Sequence, residues 1–161
     1  MRRFTPVELA IGVSLLGCIA AVAVPAFARE LHASRFVEPK EGLARIGTTA
    51  LEYGDAHGRF PDAAPLTPLA PPRGKKEADP IGTWDHPTWK ALDFKPAPDG
   101  VPHAYAFSFD SQNAASTSFV AQARGDLDGD GILSTFEIKG SIKPGEKAEL
   151  APGMYVESEL E

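Results

Sequence analysis

Two periodicities divide the chain. From Leu9 to Phe27 no charge occurs, and Ile11, Val13, Leu15, Leu16, Ile19, Val22 and Val24 dominate the run. As a helix rising about 1.5 Å per residue, it approaches the roughly 30 Å thickness of a bilayer's hydrocarbon core. After Ala28 the pattern turns amphipathic. Leu31, Phe36, Leu43, Ile46, Ala50, Leu51 and Tyr53 recur at helical spacing, with Arg29, Glu30, Arg35, Lys40, Glu41, Arg45 and Glu52 between them. This predicts an amphipathic continuation of the same helix over 28–58, bent near Pro39 and ending between Gly54 and Gly58. Residues 61–102 hold most of the prolines and predict a loop-rich segment. One short helix is expected to begin at Pro87, with Trp89, Leu92 and Phe94 turned inward. Trp84 and Trp89 are read as packing residues rather than a stacking platform for a ligand.

The period then changes to two. Tyr105, Phe107 and Phe109, then Phe119, Ala121 and Ala123, then Phe136 and Ile138 alternate with more polar neighbours. Three half-buried antiparallel strands within 104–140 follow, with a fourth near Met154 to Val156. Such a sheet needs a cover, which the amphipathic helix supplies. The predicted fold class is α+β, a long N-terminal hydrophobic helix whose amphipathic continuation packs on a small antiparallel β-sheet.

Charge and composition narrow the function. With 161 residues there is room for one core and one long extra element. The net charge of -6 comes with no basic cluster beyond Arg73 to Lys76, which excludes a nucleic-acid footprint. A single cysteine, Cys18, excludes an intramolecular disulfide. His32, His57, His86 and His103 show no ligand spacing, and no nucleophile elbow or phosphate-binding glycine loop occurs, so an enzyme is not expected.

One chemical motif remains. Asp126-Leu127-Asp128-Gly129-Asp130-Gly131-Ile132-Leu133-Ser134-Thr135-Phe136-Glu137 fits the twelve-residue calcium-loop pattern at each constrained position. A hard cation takes six to eight oxygens. The expected ligands are Asp126, Asp128, Asp130, the Ile132 carbonyl and Glu137, with Ser134 direct or through water. The flanks read as strands, so Ca2+ here would staple a turn between strands. The bland alternative is an Asx-rich hairpin connection without metal.

Arg2 and Arg3 precede the apolar run, which keeps the N-terminus cytoplasmic and sends the remainder outward. Three readings fit the segment by its residues alone. It is a plain transmembrane anchor, a secretory signal ending at Ala26-Phe27-Ala28, or a lipoprotein signal around Leu15-Leu16-Gly17-Cys18. A fourth comes from resemblance. Residues 4–27, from Phe4-Thr5-Pro6-Val7-Glu8 through Pro25-Ala26-Phe27, resemble the signal and stalk helix of type IV pilins and type II secretion pseudopilins. The stretch Tyr53-Gly54-Asp55 to Phe60-Pro61 is similar to the end of that stalk.

The resemblance implies a ladle-shaped fold with a leader at 1–3, an assembly helix at 4–27, an amphipathic part at 28–58 and a head at 59–161. It also implies cleavage before Phe4, with Arg3 standing where the family carries Gly, and methylation of the new terminus. Glu8 would recruit each subunit to the filament, and Pro25 would kink the stalk. The partners implied are other pilin-like subunits, a prepilin peptidase, the inner-membrane assembly machinery and, before assembly, membrane lipid. The location implied is the bacterial inner membrane with the head outward, then a periplasmic or cell-surface filament. The rival function is a monomeric membrane-anchored or exported calcium-binding module.

Overall fold

The structure, a computed structural model, describes residues 5–113 and 117–158. The chain divides into two compact units between Phe36 and Val37. The first is built on helix α1, Pro6–Arg35. Its stretch Pro6–Ala26 has a mean hydropathy of 2.3 and none of it is buried, so by length and composition it can cross a membrane. Val7, Ile11, Leu16 and Val22 all point outward.

Thr5 and Pro6 explain where α1 starts. Thr5 Oγ1 accepts from Glu8 N at 3.3 Å, while Glu8 Oε2 accepts from Thr5 N at 2.8 Å and from Thr5 Oγ1 at 3.0 Å. That is a reciprocal capping box around a first-turn proline whose missing N–H costs nothing there. Pro25 lies inside the helix, where its ring removes one backbone bond.

The second unit runs through helix α2 (Val37–His57), strand β1 (Ala64–Thr67), helix α3 (Pro87–Ala91) and strands β2 (Tyr105–Asn113) and β3 (Thr117–Gly125). Strands β4 (Ser134–Ile142), β5 (Glu149–Leu150) and β6 (Tyr155–Glu157) complete it. The sheet is antiparallel in the order β1-β2-β3-β4-β5, with β6 also paired to β4. The α+β class expected from the pattern is what the structure has.

The expected helix is interrupted, and not at Pro39. Helical structure breaks at Phe36, and Pro39 sits in the first turn of α2, buried. First-turn N–H groups lack helical partners in any case, so Pro39 fits a helix start and the interruption precedes it. The side chain of Leu31 lies outside those described. Gly42 and Gly47 lie on the contact face of α2. A Cβ on Gly42 would lie 2.6 Å from Phe107 Cε1, and one on Gly47 would lie 3.1 Å from Ile138 Cδ1. Leu43, Ile46 and Ala50 beside them are fully buried.

Across the sheet, large side chains oppose small ones. The register aligns Phe107, Ala123 and Phe136 in one row and Phe109, Ala121 and Ile138 in the next. Phe119 stands opposite Gly140, where a Cβ would come within 2.2 Å of its ring. This alternation lets large rings sit over small neighbours in the layer beneath α2. All eight alternating positions named from the sequence are buried.

The proline-rich segment is ordered by a second aromatic cluster. Trp84 and Trp89 pack 5.5 Å apart, and Phe94 lies 5.5 Å from Trp89 and 5.0 Å from Phe107. Trp89 is 1% exposed and its Nε1 donates to Thr67 Oγ1 at 3.0 Å, so the packing reading of both tryptophans stands. α3 starts at Pro87 as expected, with His86 as its cap. The sequence pattern missed β1 and β5, both too short for alternation to register.

Candidate functional site

Gly125 ends β3 and Ser134 begins β4, so residues 126–133 form the connection between two paired strands. Asp126, Asp128 and Asp130 each place a carboxylate oxygen so that all three lie within 4.8 Å of one another. The loop is wound by its own side chains. Asp126 Oδ1 accepts from Gly129 N at 2.8 Å, Asp128 Oδ1 from Asp130 N at 3.1 Å, and Asp130 Oδ1 from Ile132 N at 2.7 Å. Gly129 and Gly131 take positive φ values of 85° and 95°, which residues with a Cβ rarely adopt.

Asp126 differs from its neighbours. It is 1% exposed, whereas Asp128 and Asp130 are solvent-facing. Its Oδ2 receives no hydrogen bond among the described residues, and Arg73 Nε stands 3.7 Å away, within ion-pair range but beyond hydrogen-bonding distance. A buried carboxylate oxygen without a donor is costly. Three converging carboxylates with one orphaned oxygen fit a hard cation.

The side chains of Ser134 and Glu137, also named from the loop pattern, are engaged outside the carboxylate cluster. Ser134 is fully buried and its Oγ donates to Gly125 O at 3.2 Å, tying the loop's mouth. Glu137 is outside the carboxylate cluster. Its Oε2 accepts from Gln122 Nε2 at 2.7 Å and its Oε1 pairs with Lys139 Nζ at 2.9 Å. Burial opposes its ionisation, but Gln122, Lys139 and the nearby Arg124 together hold its carboxyl below the ordinary value. The cause of its displacement is the flank. A helix would bring the twelfth loop position back toward the first, whereas an extended strand advances about 3.3 Å per residue and carries Glu137 away. Ile132 keeps its backbone in the loop, its side chain 52% exposed.

At the other end of the chain, Glu8 lies in the first turn of α1 and Pro25 within it. Arg3 and Phe4 lie outside the described residues. Cys18 is exposed on α1.

Three contacts escaped the sequence reading. Thr5 and Glu8 cap each other, a signal present in the spacing Thr5-x-x-Glu8 before an apolar run. Glu38 Oε1 accepts from Ala104 N at 2.7 Å and Tyr105 N at 3.0 Å, joining the start of α2 to the start of β2. His103 places Nδ1 2.9 Å from Tyr105 O and Nε2 2.6 Å from Asp79 Oδ2, the same oxygen that accepts from Trp84 Nε1 at 2.5 Å. The last two join residues far apart in sequence, and no local pattern announces them.

The molecule is thus an α+β protein with an uncovered apolar helix of membrane-crossing length and an acidic turn on a small sheet. Over 75 residues it is 33% identical to the "Type IV major pilin protein PilA" of Myxococcus xanthus (strain DK1622), a stretch that takes in 47% of this chain. The same stretch is 34% of the relative, so the chain spans about a third of the length of the curated protein it matches. No family model matches the chain, and no solved structure matches it. The likeness supports the pilin resemblance in its coarse form.

Proposed function

We propose that this protein is a structural, non-catalytic subunit of a type IV pilus-like or pseudopilus filament. The observation that carries the reading is α1 itself, whose apolar surface is wholly uncovered over Pro6–Ala26 and whose first turn bears Glu8, in a chain similar to a type IV major pilin. A helix apolar on all sides is stable only in lipid or against other helices. Before assembly the bilayer covers it, with the head outward; in the filament, copies of the same helix do. An acid at membrane depth is expensive unless paired, and the amino terminus freed at Phe4 by a prepilin peptidase is its natural partner, on the same or an adjacent subunit. The inner-membrane assembly machinery would then draw subunits from lipid into the filament.

The head holds a calcium ion in this reading, with Asp126, Asp128 and Asp130 as ligands. The ion would supply the positive charge that three carboxylates so close together require. Glu8→Ala tests the assembly role. The variant should remain in the membrane fraction and be lost from sheared filaments. If it is incorporated at the wild-type level, Glu8 has no recruiting role; if the wild type is itself absent from sheared filaments, a monomeric anchored module becomes the better description.

A further inference from the structure

The proline-rich segment crosses the acidic loop at one point. Arg73 forms an isolated parallel bridge with Asp126, and Gly74 N donates to Asp126 O at 2.8 Å. The two backbones lie so close that a Cβ on Gly74 would stand 3.3 Å from Asp128 O, and one on Gly129 would stand 3.4 Å from Gly74 N. Farther on, Glu77 exchanges both backbone bonds with His103 at 3.0 Å, and Lys76 Nζ reaches Glu38 Oε2 at 3.2 Å. The backbone of 73–77 is therefore pinned at both ends, independently of the Arg73 side chain. That side chain is 76% exposed and is the group in ion-pair range of the orphaned Oδ2 of Asp126.

We propose that Arg73 is the built-in counter-cation of the acidic loop and sets the loop's affinity for a divalent cation. It partly compensates the buried Asp126 oxygen when the loop is empty and swings into solvent when a divalent cation is present. A guanidinium and a divalent cation beside one carboxylate repel each other, so the two compete for Oδ2. Because the strap is held by Gly74 N, Glu77 and Lys76, the exchange moves a side chain and leaves the backbone in place. This proposal rests on the calcium reading given above.

The test is calorimetric titration of CaCl2 into the full chain in detergent micelles, for the wild type, Arg73→Gln and Arg73→Lys, with far-UV circular dichroism to check folding. Arg73→Gln is expected to bind calcium about three- to tenfold more tightly than the wild type. Its metal-free form should melt at a lower temperature. Arg73→Lys keeps the charge and should stay near the wild-type affinity. If the wild type binds calcium and Arg73→Gln binds it equally or more weakly, the role assigned to Arg73 is wrong. If the wild type itself gives no binding heat at millimolar calcium, the calcium reading falls, and this proposal with it.

Discussion

Loss of Glu38 should damage the head where the start of α2 meets the start of β2. One oxygen, Oε1, accepts from both Ala104 N and Tyr105 N, and these residues are 3% and 1% exposed. Glu38→Ala removes this shared acceptor from two buried N–H groups. A hydrogen bond to a charged group contributes about 1.5–3 kcal/mol, and water admitted by the truncation offsets some of the loss, which gives a cost of about 3 kcal/mol for the pair. The Lys76 contact, largely exposed, adds little. For a unit of this size the melting temperature should fall by about 10 °C. Glu38→Gln keeps one oxygen that can accept both bonds and should cost about 1 kcal/mol. Both tryptophans of the chain, Trp84 and Trp89, are buried in the head, so their fluorescence follows its unfolding while α1 stays in the micelle. A melting point for Glu38→Ala within about 2 °C of the wild type would refute the reasoning, and so would a Gln variant as damaged as the Ala variant.

Three further outcomes are expected. Gly42→Ala should lose about 1–3 kcal/mol, read as a lower urea midpoint at constant slope, because its Cβ would enter the ring of the fully buried Phe107; an unchanged midpoint would show that the helix can lift off the sheet freely. Calcium at about a hundred times its dissociation constant should stabilise the head by about 2.7 kcal/mol, and Asp128→Ala should abolish the rise in melting temperature; a wild-type head equally stable in chelator would remove the metal. Because its partners hold the Glu137 carboxyl below the ordinary glutamate value and so favour its ionised form, its contribution is fully present above about pH 4.3 and is lost as pH falls through its folded value. Glu137→Gln should therefore lose less stability than the wild type as pH falls below about 4.3, and parallel acid limbs would contradict the partners assigned to it.

What could be read from the sequence follows how local each cause is. The apolar run of α1, the stripe of Leu43, Ile46 and Ala50, and the alternation through Phe107, Phe119 and Phe136 are written in neighbouring residues, and they emerged as helix, packing face and sheet. The part played by the glycines of α2 is not written locally, since helix propensity concerns neighbouring residues, whereas Gly42 and Gly47 are fixed by what lies across the interface. The acidic loop was legible in composition and only partly in geometry. Its three aspartates converge because Asx turns are short-range, while Glu137 depends on the conformation after the loop, which a linear motif inherited from helical flanks does not encode. Arg73 lies beyond reach for the same reason, since its contact with Asp126 exists only once the proline-rich segment has folded across the sheet.

Assembly through α1 is tested most directly by the amino terminus of the protein in sheared surface filaments. Mass spectrometry of an epitope-tagged chain should find it there, beginning at a methylated Phe4. A chain absent from filaments and beginning at Cys18 or Arg29 would contradict assembly and leave an exported or lipid-anchored head in its place.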